Sequence, residues 1–201
     1  MHIRSFLVLY VFLILMAGIV GCAAPGSSSA PVLGHSVSTS APVSPSGSAG
    51  SLTLRVGSLT PGSPLPATST CTGANESPTV SWDRIPAGTK SLVLILDDPD
   101  APAGTFTHWI VYNIPPVAGG FSTGQTDGNV PDTGAHVGDN SAGSRGYYPP
   151  CPPVGSTHRY VFRLYAVDTD ITLPTMNRSA MDDALSGHTL TETDFVTLFK
   201  R

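Results

Sequence analysis

Six residues, Ser91–Leu96 (SLVLIL), form an apolar run with no polar alternation. A strand with one wet face alternates, whereas a continuously apolar one is covered on both faces. The runs around it are short and have a period of two. Ser51–Leu59 puts Leu52, Leu54 and Val56 on one face, and Val80–Trp82 lies between Pro78 and Pro86. In Phe106–Ile114, strict alternation groups His108, Ile110, Tyr112 and Ile114 against Trp109 and Val111. In His158–Val167 it groups His158, Tyr160, Phe162 and Leu164 against Arg159, Val161, Arg163 and Tyr165. The 21 Gly and 19 Pro among 201 residues favour turns over long helices.

Helix is expected only late in the chain. Asn177 and Ser179 are both eligible caps for a short helix through Leu185, stopped by Gly187. Thr191 with Asp194 reads as a second helix start leading into Phe195–Phe199. The expected fold is mainly β: a two-sheet antiparallel sandwich with a short C-terminal helical part. Residues 115–157 read as mostly loop, rich in Gly, Pro, Asp and Asn, and loops of that length are more often functional than idle.

The chain begins with a targeting pattern. Arg4 precedes an unbroken apolar run at 6–21, and Ile19-Val20-Gly21-Cys22 follows the aliphatic-x-small-Cys form of a bacterial lipoprotein box. The expectation is a signal peptide over 1–21 with Cys22 lipidated; an uncleaved membrane helix is the competing reading. Residues 23–50 contain 22 Ser, Ala, Pro or Gly and no charge, so they cannot bury enough apolar surface to offset ordering. They read as a tether with a reach on the order of 30 Å. The domain is expected to occupy 51–201.

Only 12% of the residues are charged and the net charge is −4, which argues against a nucleic-acid partner. Apart from Cys22 the cysteines are Cys71 and Cys151. In an oxidising compartment they are a candidate disulfide, worth ~4 kcal/mol on the chain-entropy model; two buried thiols are the alternative.

Two segments gather chemistry. Asp97-Asp98-Pro99-Asp100-Ala101-Pro102 leaves the apolar strand just before His108-Trp109. Tyr147-Tyr148-Pro149-Pro150-Cys151-Pro152-Pro153 precedes His158-Arg159-Tyr160. These motifs, with CTGANESP at 71–78, Trp82, Gly138-x-Asn140 and Leu185-Ser186-Gly187-His188, resemble the bacterial branch of the phosphatidylethanolamine-binding (Raf kinase inhibitor-like) family. The resemblance spans roughly 51–201.

It implies two antiparallel sheets with a C-terminal helix, and a small anion pocket for phosphate-type groups such as a phospholipid head. Carried over by motif, the pocket residues are Asp98, Asp100, His108, Pro152, Pro153, His158 and Tyr160. Imidazoles and a phenol donate to phosphate oxygens, prolines preorganise a loop, and a carboxylate orients an imidazole. Protonated imidazole favours an anion, so affinity is expected to fall above about pH 7. The family loop commonly has Gly where Pro149 stands, so either the loop is rebuilt here or that position never needs positive φ.

The leading expectation is an extracytoplasmic, lipid-anchored binding protein for a small anionic ligand, attached to the membrane through its lipid. An inhibitor of a partner protein such as a protease is the alternative. Absence of G-x-S-x-G, H-E-x-x-H and paired C-x-x-C signals disfavours an enzyme, and no metal or cofactor is expected.

Overall fold

The computed structural model describes residues 51–117, 119–125, 133–172 and 175–201. The signal segment, Cys22 and the tether lie outside the described residues. Strands β1 (Thr53–Val56) and β2 (Val80–Asp83) pair antiparallel, and β2 pairs with a short β5 (Gly119–Phe121). The larger sheet contains β3 (Ser91–Asp98), β4 (Phe106–Ile114), β6 (His136–Val137), β7 (Thr157–Val167) and β8 (Thr189–Lys200), in the order β6-β4-β3-β7-β8. All of its pairings are antiparallel.

The double-sided burial of the apolar strand follows from its place at the centre of this sheet. Leu92, Leu94 and Leu96 face the smaller sheet, packing with Leu54, Val56, Trp82 and Phe121. Val93 and Ile95 face the opposite layer, where α1 (Arg178–Leu185) contributes Met181 and Leu185. Asn177 caps α1, its side chain accepting from the Ala180 amide, and Gly187 after it has φ +78°. On the same reverse face Asp97 is buried, accepts from Thr107 Oγ1 at 2.8 Å and pairs with Arg163 and Arg178.

One expectation is corrected. Residues 191–199 are strand, not helix: Phe195 and Thr197 are buried while alternate neighbours are wetter, and each residue from Thr191 to Phe199 has a partner on β7. The period of two and the β-branched and aromatic content outweigh the capping-box signal. The 115–157 stretch is mostly loop among the described residues, broken by β5, β6 and the isolated bridge Asp139–Arg145.

The faces of β4 depart from strict alternation at two bulges. The pairing of β3 with β4 steps from Leu92–Ile114 to Leu94–Val111, with Asn113 at φ +53° in the extra stretch. The Asn113 amide donates to Ile171 O at 2.9 Å and accepts from Ile171 N at 2.7 Å. Ile114 is thereby turned into the sandwich core, away from Ile110 and Tyr112. The second bulge lies between Leu96–Trp109 and Asp97–Thr107, and its extra residue is His108.

Candidate functional site

The second bulge builds the site. Regular pleating would send the His108 imidazole toward α1 with Ile110. The extra residue instead brings it to the face shared by Phe106 and Tyr160, with ring centroids 4.7 Å and 5.4 Å away. Asp98 at the end of β3 and His158 at the start of β7 lie on the same face.

A cavity of about 350 Å³ opens there, lined by Asp98, His108, His158, Pro152 and Pro153 together with Phe106, Tyr148 and Cys151. Five of the seven sequence-predicted binding residues therefore line one space. Tyr160 does not line it: it is fully buried, its ring in a T-shaped contact with the His108 imidazole. Asp100 does not line it: its carboxylate is clamped by Arg159, with contacts of 2.9 Å from Nε and 2.6 Å from Nη2, and accepts the Arg159 amide at 2.8 Å. These bonds hold the Asp100 carboxyl down to about 2. Asp100 thus ties the acidic turn to β7.

The hydrogen bonds fix both imidazole tautomers. His108 Nδ1 lies 2.8 Å from Tyr148 O; a carbonyl only accepts, so Nδ1 carries the proton. His158 Nδ1 lies 2.7 Å from Asp98 Oδ2 and donates to that carboxylate. Asp98 Oδ1 accepts from the Asp100 amide at 2.9 Å, so both carboxylate oxygens are engaged. In each ring Nε2 is left to the cavity. Burial pushes the His108 ring below its ordinary value, opposed by the bond to Tyr148 and by the nearby Asp98 charge. The Tyr160 hydroxyl is enclosed beside the Asp98 carboxylate, with no partner at regular hydrogen-bond geometry. Burial first, and then the Asp98 carboxylate through its charge and its close approach to the hydroxyl, push its phenol up. Two free Nε2 atoms facing one cavity suit a ligand with several oxygens.

The loop carrying Tyr148 is held at several points. Tyr148 N donates to His108 O at 2.8 Å, and Tyr147 OH to Ser69 O at 2.6 Å. Cys71 N donates to Pro150 O at 3.0 Å, and the Cys71 and Cys151 sulfurs are at bonding distance, 2.07 Å. The positive φ that this loop needs falls on Gly146, at +106°, three residues before Pro149. Sequence reasoning missed Phe106, Tyr148 and the wall position of Cys151. Phe106 was legible as the residue two before His108; Tyr148 stood inside a motif read only for its prolines.

The comparisons bear on the family and the fold. A family model described as "Phosphatidylethanolamine-binding protein" matches residues 56–200. A "UPF0098 protein" of Methanothermobacter thermautotrophicus is 46% identical over 139 residues, covering 68% of this chain and 91% of that one. A Mycobacterium tuberculosis protein named "Putative lipoprotein LppC" is 38% identical over 165 residues, 81% of this chain and 79% of its own. The crystal structure of E. coli YbcL, described as a new member of the mammalian PEBP family, superposes with a TM-score of 0.69 at 27% identity, covering 75% of this chain and 98% of that one. With the β-sandwich, the convergent histidines and a family match across almost the whole described domain, the chain belongs to the phosphatidylethanolamine-binding protein family.

Proposed function

We propose that the chain is a lipid-anchored, extracytoplasmic protein that binds a small phosphate-type anion, such as a phospholipid head group, and releases it unchanged. The observation that carries this reading is the paired Nε2 atoms of His108 and His158, left free by fixed Nδ1 bonds and lining one cavity. Protonated imidazoles donate to anion oxygens, and the aromatic and proline walls leave room for an organic substituent.

Binding rather than turnover is favoured by the state of the reactive groups. Cys151 is bonded to Cys71, both Asp98 oxygens are engaged, and the Tyr160 phenol is held protonated. The anchor is supported by the Cys22 box and by the likeness to LppC, whose aligned stretch is longer than the family match.

Calorimetric titration of the full chain with sulfate and with phosphoethanolamine tests the ligand. Saturable binding of both, lost in the His108→Ala/His158→Ala double variant, is expected; no heat from either ligand refutes the reading. Palmitate labelling lost in Cys22→Ser, and digestion of the domain by protease added to intact cells, are the expected results for the anchor and its side.

A further inference from the structure

The disulfide is itself part of the cavity wall. Cys151 lines the cavity and is exposed, and Cys71 is partly exposed. The two lie 80 residues apart, so little local chain holds them together once the bond opens. Arg201 Nη1 sits 2.9 Å from Cys151 Sγ. A guanidinium at that distance stabilises a thiolate, and a better leaving thiolate speeds exchange.

The bond also bears on the imidazole. It pins the segment whose Tyr148 carbonyl accepts from His108 Nδ1. Beyond the disulfide, the loop is joined to the segment before Cys71 by the Tyr147–Ser69 bond, and to Cys71 itself by its amide. Opening the disulfide leaves those weaker ties, and the bond from Tyr148 N to His108 O, to hold one wall and the orientation of His108.

We propose that Cys71–Cys151 is a thiol-exchange site that latches the anion cavity: a dithiol reductant opens it, and affinity for the anion falls. The latch rests on the ligand-binding reading above. A reductant thiolate attacks Cys71 Sγ; the sulfur–sulfur bond breaks and Cys151 leaves as a thiolate beside Arg201. The second reductant thiol, deprotonated, displaces Cys71 from the mixed disulfide and closes the reductant's own disulfide. Two electrons pass to the protein, and the two protons released from the reductant go to Cys71 and to Cys151 or water.

The test uses the full chain, dithiothreitol, a thiol-counting reagent, far-ultraviolet circular dichroism and calorimetry with sulfate. Two thiols beyond any free Cys22 are expected to appear with the far-ultraviolet spectrum intact. Sulfate affinity is expected to fall about tenfold or more as wall ordering is lost, and to return on reoxidation. The Cys71→Ser/Cys151→Ser variant should match the reduced chain. Arg201→Gln should slow reduction by about threefold for each pH unit of thiol lowering that the guanidinium supplies. Equal sulfate affinity in the oxidised and reduced chains overturns the latch alone. So does collapse of the spectrum on reduction, which would make the bond a general staple. No sulfate binding by the oxidised chain overturns the ligand reading and the latch with it.

Discussion

Anion binding at this site should take up protons, and sulfate is the probe that isolates the effect because its charge is constant near neutrality. In the ligand-free protein, His108 spends its only neutral-state proton on Tyr148 O. A bare Nε2 repels a sulfate oxygen, and donation requires a second proton on the ring. Burial holds the ring below its ordinary value of 6.5, so near pH 7 the free protein lacks that proton and binding must import it. One imported proton makes the affinity fall by about tenfold per pH unit, ~1.4 kcal/mol. The fall begins above the lowered pKa of free His108 and ends at the pKa of the complex. It therefore starts lower than the pH of about 7 expected from the sequence. His158, whose Nδ1 bonds Asp98, also donates from Nε2 only when protonated. Calorimetry in two buffers of different ionisation enthalpy counts the protons. His108→Gln, whose amide donates without titrating, should lower that count by about one and flatten the slope accordingly. Sulfate binding with no proton uptake, or the same uptake in His108→Gln, refutes the tautomer argument.

Three further outcomes follow from the same geometry. Tyr160→Phe removes an enclosed hydroxyl with no regular hydrogen bond, so the unfolding free energy from urea curves should hold or rise, by up to about 1 kcal/mol, and a loss above that would show that the hydroxyl is held by Asp98. Asp97→Asn strips the charge between Arg163 and Arg178, whose side chains are 30% and 28% exposed. Because both keep some water, a loss of about 3 kcal/mol is expected, at the lower end for a broken buried pair; denaturant curves showing under about 1 would argue against the network. Without ligand, His108 should contribute to the pH dependence of stability. Its folded pKa is depressed, so the unfolded chain binds more protons below 6.5, and stability falls as pH drops from there to the folded value. His108→Gln should remove that part of the loss in thermal scans.

Strands 91–98, 106–114 and 157–167 were legible because their side-chain pattern and their burial have one cause, the sheet itself. The two faces of β7 fall as alternation dictates: Tyr160, Phe162 and Leu164 in the sandwich, Tyr165 and Val167 toward α1. The α1 cap was also local, resting on Asn177. What escaped was non-local. The β4 bulges leave no mark in a hydrophobic pattern, so Ile114 and His108 were placed on the wrong face. In β8, Thr191 and Asp194 satisfy a local helix signal, and only the neighbouring β7 decides for strand. The site residues came from motifs, and the motifs were silent on division of labour: Asp98 serves an imidazole while Asp100, two residues on, serves Arg159.

The bulge at His108 separates what the fold needs from what the ligand needs. Leu96–Trp109 and Asp97–Thr107 are consecutive pairs across β3, so the residue between Thr107 and Trp109 is surplus to the ladder. Its carbonyl is free to hold Tyr148, and its side chain is free to meet a guest. Chemistry at this spot can be exchanged without renegotiating the sheet, which gives one scaffold room to host descendants with different tastes in ligand.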